Sequence, residues 1–309
     1  MADPYEGMDQ TAEVHGAKLA PELSQYTVYM LRRVLSHISS DTMQRNAQAR
    51  EFVVLAVLAD HDVSSQQEIA ERLDINRTIM VKLIDRLESA GYLTRTRNPE
   101  NRRSYVLSLT EKGRDALDDM RRAVAEDDER LTAALSKSER GRLTELLRAL
   151  GPTTGHSSSM YSTEYMISQV FYALRRTGDA LLTEVGLRLR HFAPLSAINM
   201  LGPCQQQELA RHLAITESAA AQVVDELVQA DLVTRGQDAA DRRRYALELT
   251  ELGRERLIAT RAVIDGLQAD VVATLGTEGD EELRFLLSNL LPEEGALPSQ
   301  IQPQVAVTD

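Results

Sequence analysis

The sequence predicts a mainly α-helical protein with small β-hairpins, built as two copies of one domain in a single chain. Three observations carry that reading. The 309 residues are 43% hydrophobic but hold no Trp and only four Phe, so the apolar stock is Leu, Ala and Val, which suits helical cores better than β-sheets. "NRRSYVLSLTEKGRDAL" at 101–117 is nearly rewritten as "DRRRYALELTELGRERL" at 241–257. From Gln66 to Arg114, residues i and i+140 stay in register without a gap, with twenty of forty-nine pairs identical. In both copies the hydrophobic period switches from helical to alternating and back at matching places.

The first copy opens with "SQYTVYMLRRVLSHISSDTM" (24–43), apolar at helical spacing with an Arg pair to one side, and then a shorter, more apolar helix, "AREFVVLAVLAD" (49–60). Both read as packing helices. "SSQQEIAERLD" starts with Ser caps and a Glu a few residues on, giving a short helix that ends near Asp74. Asn76 caps the next helix, along which Ile79, Leu83 and Leu87 recur at spacing four until Gly91 closes it. Two short helices across a turn, the second amphipathic, make a helix-turn-helix. "YLTRTR" and "SYVLSLT" then alternate like strands around the charged turn "NPENRR", which adds a basic-tipped hairpin and completes a winged helix. Thr110 caps a long helix, and Ser136 or Ser138 caps a short one running to about residue 150. Upstream, "YMLRRVL" (29–35) matches "YALRRTG" (172–178) at an offset of 143. The layout is therefore a flexible tail at 1–23, a first domain at 24–150, the linker "GPTTGHSSSM" at 151–160, a second domain at 161–292 and a flexible tail at 293–309.

Composition narrows the function classes. No apolar run approaches the roughly 18 residues of a membrane helix, and the N-terminus is acidic where a secretory signal is basic, so the expected place is the cytoplasm. The single cysteine, Cys204, excludes an internal disulfide and a cysteine-rich zinc site, and reads as a small packed residue beside a turn rather than a redox sensor. Six scattered histidines offer no metal-ligand spacing, and no glycine-rich phosphate loop, nucleophile elbow or "HExxH" is present, so neither cofactor, metal nor catalysis is expected. The net charge of −12 opposes nucleic-acid binding on its face, yet acidic residues crowd into "AEDDER" (125–130), "TEGDEEL" (277–283) and the tails, while arginines gather at 95–103 and 242–244.

"NPENRRSYVLSLTEKG" and "DAADRRRYALELTELG", preceded by "LIDRLESAGYLTR" and "VVDELVQADLVTR", resemble the MarR family of winged-helix transcription factors in both halves of the chain. The resemblance implies a two-fold arrangement in which N- and C-terminal helices interleave and two winged helices reach successive major grooves of double-stranded DNA. Here both subunits belong to one chain, a monomer acting as an intramolecular pseudo-dimer. Fusion replaces concentration-dependent dimerisation with a high effective concentration, and it allows the two heads to differ.

They do differ. The first recognition helix offers Asn76, Arg77, Thr78 and Lys82 to bases and phosphates; the second has Thr216, Glu217, Ser218 and Gln222 at those places, so binding is expected to rest more on the first head. By resemblance the wing-tip arginine that enters the minor groove falls on Arg103 and Arg243, with Arg102 and Arg242 beside it. The Asp that braces that arginine in the family is Asp241 in copy two and Asn101 in copy one. Arg95 and Arg235, in the first wing strand, suit either a phosphate contact or an internal ion pair. The resemblance also implies a small, phenolic or acidic effector held between the interleaved helices and the head. Its candidate residues are Tyr26, Tyr29, Arg33, His37 and Phe52 in copy one and Tyr172, Arg176, His191 and Phe192 in copy two, although packing alone accounts for them equally well. The reading is a DNA-binding regulator, a repressor by resemblance, released by a small molecule. Its competitor is a ligand-sensing or protein-binding module on a winged-helix scaffold with little DNA affinity.

Overall fold

A computed structural model describes residues 21–39, 43–60, 64–73, 77–97, 105–151, 162–213, 215–237 and 245–291. Copy one runs α1 (Pro21–Ser24), α2 (Thr27–Ser39), α3 (Met43–Asp60), β1 (Ser64–Ser65), α4 (Gln66–Arg72), α5 (Arg77–Ser89), β2 (Leu93–Arg97), β3 (Tyr105–Leu109), α6 (Glu111–Leu131) and α7 (Lys137–Leu150). Copy two runs α8 (Thr163–Leu182), two 3-10 turns (Thr183–Val185 and Leu189–His191), α9 (Phe192–Leu201), α10 (Gln206–Leu213), α11 (Glu217–Gln229), β4 (Val233–Gln237), β5 (Tyr245–Leu249) and α12 (Glu251–Ser288). The predicted order holds in both, since α12 breaks at Gly276 (φ 75°, ψ 164°) into counterparts of α6 and α7, and the expected cap Asn76 lies outside the described residues. Thr110 Oγ1 accepts from Gly113 N, Thr250 Oγ1 from Gly253 N, and Ser136, not Ser138, forms a reciprocal capping box with Glu139.

Three details differ from the expectation. Residues 21–23, assigned to the N-terminal tail, belong to α1 (Pro21–Ser24), with Leu23 buried at 2% exposure, and residues 1–20 lie outside the described residues; a single leucine carries too little periodicity to reveal a one-turn helix. The first predicted helix stops at Ser39 and the second begins at Met43, six residues earlier than its apolar run. A third strand, β1, joins the copy-one wing, with Ser64 opposite Leu107, in the antiparallel order β1-β3-β2. In copy two the same place is a single bridge between Cys204 and Leu247. The proposed linker and C-terminal tail fall almost wholly outside the described residues.

The stretches "LTEKG" (109–113) and "LTELG" (249–253) have a packing reason visible in both copies. Thr110 Oγ1 donates to Gly91 O and Thr250 Oγ1 to Asp231 O, each at 2.7 Å, drawing the start of the long helix onto the end of the recognition helix. A Cβ on Gly113 would stand 1.9 Å from Tyr92 O, and one on Gly253 would stand 2.0 Å from Leu232 O. Glycine is the residue that lets the two backbones meet there.

The copies interleave. The first helix of copy one, α2, lies against α8 and α12, and α7 lies against α8 and α12. Tyr26 Oη donates to Asp265 at 2.8 Å, Thr27 N to Gln268 Oε1 at 2.9 Å and Tyr29 Oη to Leu189 O at 3.2 Å, so copy one's first helix seats on copy two. In exchange, Tyr165 on α8 packs on the core of the first head. Two cores result. One lies within head one, from Phe52 to Leu117; the other joins α1, α2 and α7 to all of copy two.

Candidate nucleic-acid interface

Each recognition helix buries one face and presents the other. On α5, Met80, Leu83, Ile84 and Leu87 are buried, leaving Arg77, Thr78, Lys82 and Asp85 exposed. On α11, Ala219, Ala220, Val223, Val224 and Leu227 are buried, leaving Glu217, Ser218, Gln222 and Asp225 exposed. The scaffold is the same and the outward chemistry is not: two cations near the start of one helix stand where the other has a carboxylate and an amide. Glu217 Oε1 accepts from Gln207 Nε2 at 2.7 Å, so the carboxylate is tied to α10, the preceding helix. Thr216 spends its hydroxyl on the helix, accepting from Ala219 N at 3.2 Å.

Arg95 and Arg235, for which a phosphate or an internal partner was open, have internal partners. Arg95 pairs with Asp85 and Glu88, and Arg235 with Asp225. Each wing is thereby tied at its first strand to the exposed side of its recognition helix. Asp85–Arg95 and Asp225–Arg235 keep identity and spacing in both copies, a signal in the sequence that pointed to this pairing. Asn76, Arg102, Arg103, Arg242 and Arg243 lie outside the described residues.

The effector candidates are sorted by the exchange of helices rather than by copy. Tyr26, Tyr29 and Phe192 form an aromatic cluster, with ring centroids 5.9 Å apart for Tyr26–Phe192 and 6.1 Å for Tyr29–Phe192. Two residues of α12 that the sequence reading missed complete it: Arg261 sits 5.5 Å from the Phe192 ring centre and Asp265 accepts from Tyr26. Burial, joined by the Asp265 hydrogen bond and charge, pushes the Tyr26 hydroxyl up to about 12, and burial raises Tyr29 also. Phe52 is not part of this group. It belongs to the core of head one, because α2 leaves its own head to pack on copy two. Tyr172 packs edge-on to Phe171, Arg33 is buried, His37 is half-buried and Arg176 is exposed.

His191 connects this cluster to the recognition helix. Its Nδ1 accepts from Arg188 N at 3.1 Å, which leaves the ring proton on Nε2, 3.2 Å from Glu226 Oε2 on α11; Arg190 reaches the same oxygen at 2.9 Å. Burial holds the imidazole pKa below its usual value, partly opposed by Glu226. The equivalent positions in copy one, 140 residues earlier, are Glu51 and Arg86, which pair at 3.1 Å with acid and base exchanged.

Among the described residues, no three His, Cys, Asp or Glu side chains come together as a metal site, and no helix is long and apolar enough to cross a membrane.

Comparison with known proteins agrees with this architecture. Two family models, both described as MarR family, match residues 48–105 and 185–244, one in each copy. The uncharacterized HTH-type transcriptional regulator YkoM of Bacillus subtilis (strain 168) is 30% identical over 125 residues, 40% of this chain and 81% of that protein. The chain belongs to the MarR family. A protein named for regulation of the hcr operon in Thauera aromatica is 37% identical over 99 residues, 32% of this chain; the match spans 60% of that relative. A solved MarR family protein of Mycobacterium tuberculosis, in complex with salicylic acid, is 30% identical with a TM-score of 0.33, covering 41% of this chain and 93% of that one. The family models place winged helix-turn-helix units of MarR type in both halves.

Proposed function

We propose that this MarR-family chain is a cytoplasmic repressor that reads an asymmetric, pseudo-palindromic operator as a single-chain pseudo-dimer and leaves it on binding a small aromatic or acidic molecule. The observation that carries the reading is the pair of recognition helices with unlike outward faces on like scaffolds: Arg77 and Lys82 on one, Glu217 and Gln222 on the other. Arg77 and Lys82 donate to guanine edges or phosphates, with Asn76 and Thr78 beside them. Ser218 and Gln222 read the second half-site, where Glu217 accepts from a cytosine amino group. The wing arginines Arg102, Arg103, Arg242 and Arg243 supply sequence-tolerant contacts to the minor groove and phosphates. Arg95 and Arg235 hold the wings in place through Asp85, Glu88 and Asp225 rather than touching DNA.

The effector enters at Tyr26, Tyr29 and Phe192, with the Arg261 guanidinium as the counter-charge for an anion. Displacing Phe192 shifts the adjoining turn at His191, and the pull on Glu226 turns α11 away from its groove. The relatives are regulators, and the reading requires no catalysis.

Fluorescence anisotropy with fragments of the gene's own upstream region, at two salt concentrations, tests the binding. The expected result is sequence-selective binding with a clear salt slope, weakened about tenfold by Arg77→Ala and by Arg243→Ala. Binding no better than to random DNA would overturn the reading in favour of a sensing or protein-binding module, which the acidic total charge of −12 would then suit.

A further inference from the structure

We propose that the surface joining the two copies is heterospecific: each copy fits the other and not a second copy of itself, so the partner of each half is the opposite half of this same protein. The contact on the pseudo-two-fold axis carries the argument. Arg142 Nε lies 2.8 Å from Glu282 Oε2, and the two positions are 140 residues apart, the repeat length itself. The buried leucines around them match in the same register: Leu143, Leu146 and Leu147 with Leu283, Leu286 and Leu287. Equivalent positions that touch lie on the axis, where a symmetric dimer sets a residue against its own copy. Copy one paired with itself would oppose Arg142 to Arg142, and copy two would oppose Glu282 to Glu282. Like charges in contact select against both pairings.

Two buried contacts away from the axis point the same way. Thr27 Oγ1 donates to Asp280 Oδ1 at 2.5 Å, and Asp280 is only 3% exposed. The counterparts of these residues in the other copy are Val170 and Arg140, at offsets of 143 and 140. Copy two against itself would place a valine against Asp280 Oδ1, leaving that buried oxygen without its hydroxyl while Oδ2 keeps Arg284 at 3.0 Å, and an acceptor left unsatisfied is costly. Tyr26 donates to Asp265, whose counterparts are Gln169 and Ala125. Copy one against itself would leave the tyrosine hydroxyl facing an alanine. Every one of these pairs is met only when one copy of each kind comes together.

The test uses the full-length chain and reads melting temperature and the number of chains per particle. Arg142→Glu leaves two carboxylates on the axis, and Glu282→Arg leaves two guanidiniums; each is expected to lower the melting temperature by about 1–3 °C. The double variant restores opposite charges in exchanged order and is expected to recover most of that loss, with a salt dependence that only a charge contact gives. The two single variants, heated and reannealed together with different labels, are expected to form two-chain particles holding one chain of each in excess of the two-chain particles that either variant forms alone. Single and double variants that simply add, together with chains that associate with their own kind as readily as with the complementary kind, would overturn the proposal. A second pair keeps the result readable if charge reversal disturbs folding. Thr27→Val is expected to lower stability, and adding Val170→Thr should not restore it, since that hydroxyl would face Arg140; full recovery would show the surfaces interchangeable and would equally overturn the proposal.

Discussion

Gly91 and Asp231 occupy the same place 140 residues apart, and both have left-handed backbones, with φ of 75° and 57°. A Cβ on Gly91 would meet Lys112 Cδ at 3.9 Å, an ordinary contact, so Gly91→Ala should cost the backbone penalty alone, about 1–2 kcal/mol by denaturant unfolding. Gly113→Ala meets a carbonyl oxygen instead and is expected to cost about 3 kcal/mol. Cys204 is buried in its bridge to Leu247, and burial raises its thiol to about 11. Burial and the raised pKa both hold it as the thiol near neutral pH, so alkylation of the folded protein should be far slower than of the denatured chain, and equal rates would contradict the burial. His191 sets a pH dependence of definite sign. Its folded pKa lies below the ordinary 6.5, so the unfolded chain takes up the proton first and stability is lost as pH falls below that value. Melting measured from pH 7.5 down to 5.5 should drop less in His191→Gln than in the parent.

At the scale of elements, the helix starts bear the most testable load. Thr110 and Thr250 each cap a long helix and donate to the residue that ends the recognition helix, so Thr110→Ala and Thr250→Ala should each cost about 1 kcal/mol or more. These elements were legible in the sequence because periodicity, caps and glycines are local properties, and two copies supplied two independent readings of each. The one-turn α1 and two-residue β1 were not legible, being shorter than any period. The candidate site divided along the same line. The exposed faces of α5 and α11 follow from helical spacing, which turns Arg77, Lys82, Ser218 and Gln222 outward, whereas their choice for DNA followed from the family resemblance. The aromatic cluster does not, because Tyr26 and Phe192 are 166 residues apart and their helices belong to different copies. Sequence reading grouped Phe52 with Tyr26 as neighbours in one copy, whereas interleaving gives Tyr26 to the other copy's helix. Asp265 and Arg261 sit on a helix whose start, not its middle, carried the recognisable motif.

The molecule as a whole is less symmetric than its repeat. Between Leu117 and Thr132, α6 carries no fully buried residue, whereas the matching part of α12 buries Thr260, Ile264, Leu267 and Val271 beneath α2 and α9. Head one therefore stands on a solvent-exposed strut with its own core, and head two shares the central core. Hydrogen exchange should be faster at 118–130 than at 258–270, and equal protection would contradict this difference in packing. The contact between Arg142 and Glu282 bears on history as well as on assembly. In a dimer of identical chains a single gene writes both sides of the axis, so a change there arrives twice and meets itself. Opposite charges at one such position cannot be reached from that state by any one substitution, because it needs two separately written copies. The arginine and the glutamate thus date themselves: they became unlike after the gene was duplicated, and the single ancestor of the two halves would have carried a residue there able to tolerate its own reflection.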